Sequence, residues 1–397
     1  PLPPGNPPLA SALLEPVGAT LPGGLTLEPV DSTLVGTGGD RVPRVWAVLP
    51  TDLMAASGIV GSIVPQSTIA GTPEDAWSTL CDYERWDTAA FVAASTSRDV
   101  WLYDRVTAMY RGYAIIGDLE PLRSAYREVG IYRAGITIAN GVATGIGVPT
   151  ASSDLKYHYS QGLALHYLLT GDDRYREAAE AIAARVATMW NPQYDGGFWT
   201  ERHAGFALLA HEWAARVSDD RAAQFEAQAD AAVAAFLAVQ LASQSGDSPD
   251  ARCFAHTAEA HGEDFGTTGC SPWMSAILAE GLDTHALRVG GPRAEEVRLA
   301  LARLGRIVAS RGRDPSGRPF YWMALSGASE VDDYDEHWGE SAYIVALAWS
   351  ATNGTEPQLR TAADELIAGL RQYGEVGQLR SFNWQCRAAV MTPALLR

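Results

Sequence analysis

Lysine is almost missing from this chain: Lys156 is the only one among its 30 basic residues. Arginine supplies the rest, beside abundant alanine and glycine, a bias that a GC-rich coding sequence produces without any functional cause. Positive charge is also in short supply, with 47 acidic residues against those 30 and a net charge of −17. A surface this acidic repels phosphate backbones and anionic membranes, so neither nucleic acid nor membrane is an expected partner. It disfavours a polyanionic ligand as well, unless Arg, Lys and His cluster locally and reverse the field inside a cleft. No stretch approaches the roughly 20 apolar residues of a membrane-spanning helix. The P-loop, the dinucleotide-binding glycine fingerprint and G-x-S-x-G are all absent, which counts against kinase, dehydrogenase and serine hydrolase chemistry.

The four cysteines, Cys81, Cys253, Cys270 and Cys386, contain no C-x-x-C and no zinc-ligand spacing. No metal and no cofactor is expected. The cysteines are either structural thiols or up to two disulfides, with Cys253 and Cys270 the favoured pair because they bracket a Gly-rich loop. That bond predicts a secreted or periplasmic location, and without it a cytoplasmic one stays open. The opening PLPPGNPP has neither an initiator Met nor the basic and apolar regions of a signal peptide. A leader is therefore expected to have been removed or never present.

What is there in quantity is apolar surface, 47% of residues, enough for a sizeable core. Residues 1–75 are rich in Pro, Gly, Thr and Val, and LTLEPVDSTLV and RVWAVLP alternate as short strands or extended arms do. From about residue 76 onward the pattern is helical. A helix, a tight turn and a second helix recur, with turns at Gly117-Asp118, Gly171-Asp172, Asp219-Asp220, Gly290-Gly291 and Asn353-Gly354. Apolar positions such as Phe206, Leu209, Ala210, Trp213 and Val217 follow the spacing of a buried helix. Five hairpins, and a sixth expected before residue 101 or after 365, favour a closed ring over an open stack. The short turns then sit at one end, while the long connections 131–157, 190–202, 244–272 and 311–340 converge on the other.

This hairpin repeat, the YLLTGDDRY turn and the aromatic-rich long loops resemble the (α/α) toroid of carbohydrate-active enzymes, the barrel of several polysaccharide lyase families and of six-hairpin glycosidases. The resemblance spans residues 76–397, leaving 1–75 as an N-terminal arm. It implies a mainly α toroid of about six hairpins with a short extended N-terminal segment, acting on a polysaccharide or oligosaccharide. The Asn-Asn-His run of some toroid lyases is absent, so no family's catalytic set carries over.

Four stretches concentrate chemistry at the expected mouth. In DLKYHYSQG, Lys156, Tyr157, His158 and Tyr159 offer the cation, acid and base that β-elimination of a uronate requires, although only about two of four consecutive side chains share a direction. GGFWTERHAGF adds Trp199 together with Arg202 and His203, arginine being suited to bidentate carboxylate recognition and histidine to proton transfer near neutrality. FAHTAEAHGEDFGTTGCSPW contains His261, Glu263 and Asp264, a substrate-binding or acid–base loop whose spacing matches no metal motif. FYWMALSGASEVDDYDEHWGESAY holds Tyr321, Trp322 and Trp338 for stacking on sugars, with Asp333, Glu336 and His337 beside them. Each has a plainer reading as packing, loop anchoring or a solvated acidic face. His166 and His211, inside buried patterns, are expected to be core residues.

Three functions fit. The first is a lyase of uronate-containing glycans, with Lys156 and Arg202 on the carboxylate, His203 or His158 as base, and Tyr157 or Tyr159 as acid. The second is a glycoside hydrolase using paired carboxylates from Glu263, Asp264, Asp333 and Glu336. The third is a non-catalytic glycan-binding toroid.

Overall fold

Five helical hairpins follow one another in the computed structural model, which describes residues 19–20, 26–27, 49–189, 200–243, 248–261, 263 and 265–397. Helices α1 (Arg105–Ile116) and α2 (Leu119–Ala134) form the first, and α3 (Gln161–Thr170) and α4 (Asp173–Met189) the second. Then come α5 (Glu201–Val217) with α6 (Ala222–Ala242), α7 (Pro272–Val289) with α8 (Gly291–Arg311), and α9 (Trp338–Ala351) with α10 (Pro357–Tyr373). The turns fall where the sequence placed them. Gly117 and Gly171 sit in the left-handed region, at φ 82° and 70°, and close their helices as glycine caps do.

Odd-numbered helices form an inner ring and are buried nearly all round, whereas even-numbered ones bury one face and expose the other. Small residues let the layers close up. A Cβ on Gly205 of α5 would strike the backbone of Ile277 and Leu278 on α7, so only glycine permits that approach. Helix α1 begins only at Arg105, because Tyr103 and Asp104 are both left-handed, at φ 75° and 44°, and keep the chain before it out of the helix.

The sixth position is built from both halves of the chain. Its inner part is the broken, largely buried run from α11 (Leu379–Gln385) through Ala389–Met391 to Thr392–Leu395, packed on α9. Its outer part is supplied by short helices at Ala76–Leu80 and Thr88–Ala94. A disulfide between Cys81 and Cys386, 305 residues apart, joins the two. The second disulfide, Cys253–Cys270, is the pair favoured by sequence.

At the centre of the ring Glu280 of α7 is buried between two arginines. Arg111 of α1 lies 2.7 Å from one carboxylate oxygen and Arg387 of the closing segment 2.8 Å from the other. Gln161 of α3 donates to Glu280 at 3.0 Å and accepts from Arg387 at 2.7 Å. Burial opposes the charge on Glu280, yet the two guanidinium groups outweigh it and bring its pKa down to about 2.

Two small antiparallel sheets sit on the long connections. Numbering strands along the chain, the pair β1 (Ala19–Thr20) and β2 (Thr26–Leu27) lies in the N-terminal segment. Strands β3 (Ile136–Ala139), β4 (Val142–Gly147) and β5 (Ala151–Ser152) form one sheet, and β6 (Gly269–Cys270), β7 (Phe320–Ala324) and β8 (Glu330–Val331) the other. Residues 49–75, expected to be extended, include a helix at Thr51–Ser57, which Pro50 precedes and left-handed Gly58 closes. Met54, Val60 and Ile63 from this stretch join the main core. Helix α6 is long and apolar enough by composition to cross a membrane, contrary to the sequence reading of apolar runs. In the ring its Phe225, Ala229, Val233 and Phe236 face the core, and Ala-rich packing accounts for that composition.

Glu280→Gln leaves two buried guanidinium groups without their carboxylate, so urea unfolding should show a loss of about 3 kcal/mol or more. The exposed Asp333→Asn serves as control and should stay within about 0.5 kcal/mol of wild type.

Candidate functional site

The described parts of the long connections and the closing segment meet at the N-terminal ends of the inner helices. Arg202, in the first turn of α5, occupies the middle of this mouth. Its Nη1 donates to the Tyr103 hydroxyl at 2.9 Å, and its guanidinium lies 5.6 Å from the Trp273 ring centroid and 6.0 Å from that of Tyr103. Its Nε is buried and meets no hydrogen-bond partner among the described residues. Among the described residues no carboxylate comes within ion-pair distance of it. Burial pushes the Tyr103 hydroxyl pKa up, with Arg202 partly opposing, so the phenol is neutral.

Beside Arg202, His203 Nε2 lies 3.1 Å from Asp154 Oδ1, and Nδ1 lies 2.9 Å from the Thr200 hydroxyl. Burial foremost, helped by Arg202 and Lys156, depresses the His203 pKa to about 4 even though Asp154 opposes it. The neutral ring therefore donates Nε2–H to Asp154 and accepts from Thr200. Lys156 Nζ lies 3.1 Å from the other Asp154 oxygen. Burial would raise the Asp154 carboxyl, but the His203 hydrogen bond and the Lys156 charge hold it well below the usual carboxylate range.

An aromatic wall completes the mouth. His337 stacks on Trp273 at 4.5 Å and an interplanar angle of 5°, and Trp384 lies 5.0 Å from His337 and 5.4 Å from Tyr103. Behind it, Glu340 is buried with both oxygens lacking hydrogen bonds and His337 Nδ1 3.7 Å away. Tyr321 contributes from β7, and its hydroxyl bonds to Glu263, whose carboxyl pKa is raised by burial while Arg202 and Tyr321 oppose the rise. Arg380 covers the Trp384 face at 5.4 Å.

Of the sequence candidates, Lys156, Arg202, His203, Glu263, Tyr321 and His337 come together here. The others lie elsewhere. The buried Tyr157 ring sits between Arg98 and Lys156, at 5.9 and 5.8 Å. The Tyr159 hydroxyl accepts from the Tyr103 N–H and donates to backbone carbonyls, which ties down the loop before α1. His158 is buried on the far side of this turn, its Nδ1 on the Asp154 carbonyl at 3.0 Å. Trp322 is fully buried beneath its loop, stacked on Phe265, and Trp338 packs on Gly369 and Tyr373 of α10. Glu336 accepts from Ser381 and Gln378 and holds the closing segment, while Asp333 points to solvent. Trp199, Asp264 and the His261 side chain lie outside the described residues. His166 is a core residue, 2.6 Å from the Tyr110 hydroxyl, and His211 is buried. Glu201 accepts from Ser271 N–H and lies 2.7 Å from His256, fastening the 252–270 loop to α5.

Four residues of the mouth carried no sequence signal: Tyr103, Asp154 as more than a lysine partner, Trp384 and Arg380. Trp273 had one, since it opens an inner helix after a long loop, the same position that singled out Arg202.

No family model matches the chain, and neither does any curated protein. Solved structures do. A polysaccharide lyase superposes with a TM-score of 0.54 at 12% identity, covering 79% of this chain and 96% of its own. A glycosyl hydrolase family 88 protein from Bacteroides vulgatus gives 0.55 at 10%, covering 80% and 99%. An unsaturated glucuronyl hydrolase from Bacillus sp. GL1, described as responsible for glycosaminoglycan degradation, gives 0.49 at 15%, covering 75% and 85%. The chain has the (α/α) toroid fold of carbohydrate-active enzymes. Lyases and hydrolases share that ring, so the likeness leaves the reaction to the side chains.

Burial holds His158 and His203 at about pKa 4, His166 at about 3 and His211 at about 4, against 6.5 for each when unfolded. Between these values the unfolded chain binds more protons, so stability is full above pH 6.5 and should fall as pH drops toward 4, by up to about 3 kcal/mol per histidine. Thermal unfolding across that range checks the sign, and a flat profile contradicts it. Lys156→Arg keeps the charge and alters only the geometry of a partly exposed pair, so it should change stability by less than about 1 kcal/mol. Calorimetry tests the first part, and unchanged turnover would reduce the lone lysine to an accident of codons.

Proposed function

We propose that this protein degrades a uronate-containing glycan, acting as a lyase by β-elimination. The observation that carries the reading is Arg202: a cation at the mouth, set against aromatic faces, with a buried Nε that has no hydrogen-bond partner among the described residues. A buried unpaired donor on a guanidinium favours a planar anion that accepts from it, and a sugar carboxylate fits. Neutralising that carboxylate is the step that acidifies C5–H. His203, neutral above about pH 4, supplies the base through Nδ1 once the Thr200 hydroxyl turns away, with Asp154 stabilising the imidazolium that results. The neutral phenol of Tyr321 or Tyr103 protonates the departing O4. The aromatic wall of Trp273 and Trp384 offers faces for sugar C–H groups. The polysaccharide lyase and the family 88 glycosyl hydrolase that share the ring are both named for carbohydrate chemistry. The two disulfides favour an oxidising compartment, so we place the protein outside the cytoplasm.

A hydrolytic reading has one observation of its own. Asp154 is held low while Glu263 is pushed up, and carboxyls driven apart in this way are what a glycosidase needs for base and acid. Product analysis separates the two. On uronate polymers a lyase releases fragments that absorb in the ultraviolet from a new C4–C5 double bond, whereas a hydrolase raises reducing ends alone. Arg202→Ala should lower kcat/KM by roughly 100-fold or more in either case with the melting temperature nearly unchanged, and full activity in that variant would sink the uronate assignment.

A further inference from the structure

On the far side of the Asp154 turn a second recess, of about 230 Å³, opens between the β3–β4–β5 sheet and α4. Thr144, Ser152, Ser153, His158 and Arg185 supply its polar side chains. In a chain with 47 acidic residues, no carboxylate lines it. Arg185 is only partly exposed, and among the described residues its guanidinium has neither an ion pair nor a side-chain hydrogen bond. His158 donates Nδ1–H to the Asp154 carbonyl at 3.0 Å, which leaves Nε2 as an acceptor. Burial, reinforced by the Arg185 charge, keeps that ring neutral, with a pKa near 4. Asp154 thus links the two places, its carboxylate paired with Lys156 and His203 at the mouth and its carbonyl bonded to His158, which lines the recess.

We propose that this recess is an oxyanion subsite, taking the carboxylate or sulfate ester of a sugar that neighbours the one held at Arg202. Arg185 pairs with the anion, Ser152 and Ser153 hydroxyls donate to it, and His158 Nε2 accepts from a sugar hydroxyl. A chain crossing the Asp154 edge then meets Arg185 on one side and Arg202, with Lys156 beside it, on the other. This inference rests on the uronate reading for the identity of the chain, but not for the anion site itself.

Calorimetric titrations of wild type, Arg185→Ala and Arg202→Ala test it, using inorganic sulfate, glucuronate and a glucuronate tetrasaccharide as probes. Losing one charged hydrogen-bonding partner should weaken the tetrasaccharide roughly tenfold or more in Arg185→Ala while leaving glucuronate unchanged. Sulfate should bind Arg202→Ala but not Arg185→Ala. Tetrasaccharide binding that depends on Arg202 and ignores Arg185, with sulfate equally indifferent, overturns the subsite and spares the mouth. Sulfate binding lost only in Arg185→Ala, with no uronate bound by any variant, upholds the anion site and overturns the uronate reading. A sulfated glucuronate tetrasaccharide as a fourth probe separates the two ligands: a larger loss for it than for the unsulfated chain in Arg185→Ala identifies the sulfate ester, and an equal loss for both identifies the carboxylate.

Discussion

The buried node of Glu280 between Arg111 and Arg387 is the interaction on which the ring depends. It joins α1, α7 and the closing segment at one point, and Gln161 brings in α3. A charge cluster in a ring's core is expensive to desolvate, and hydrophobic replacements often match such clusters in stability. Its value here is directional. Apolar faces let neighbouring inner helices slide, whereas a carboxylate shared by two guanidinium groups allows one register. Arg111 also donates to the carbonyls of Val60 and Arg387, so the same side chain holds down the segment before the ring and the one that ends it.

Closure of the ring follows from that node. The Cys81–Cys386 bond lies one residue from Arg387 and spans the seam between outer and inner parts of the sixth unit. Once the seam is fixed, Trp384 and Arg380 of α11 stand at the mouth opposite Arg202. The site is therefore assembled by closure. Trp384 and Arg380 come from near the C-terminus, and the rest of the wall from turns and loops earlier in the chain.

Electrostatics at the mouth runs against the rest of the molecule. The net charge of −17 argues against anionic ligands in general, yet Lys156, Arg185 and Arg202 gather around one turn. Asp154 compensates two of its neighbours, Lys156 and His203, while Arg202 keeps an unpaired nitrogen. Local arrangement, not total charge, sets what such a cleft attracts.

The helical hairpins and their turns were legible in the sequence because they rest on local rules: a 3.6-residue period, and glycine or asparagine where the backbone must turn left-handed. The same locality explains why Arg202, His203 and Lys156 could be named, since each stands where a long loop enters an inner helix. Side-chain direction is not local in that sense. Trp322 and Trp338 sat in the densest aromatic run yet turn inward, and Tyr159 spends its hydroxyl on backbone groups. Tyr103 gave no periodic signal, because two left-handed residues interrupt its helix. Trp384 and Arg380 reach the site only through a contact between distant parts of the chain. Sequence by itself determined the ring and the end of it that carries chemistry, whereas only the tertiary structure decided which side chains face the cleft, because burial and pairing across hundreds of residues leave no trace in local spacing.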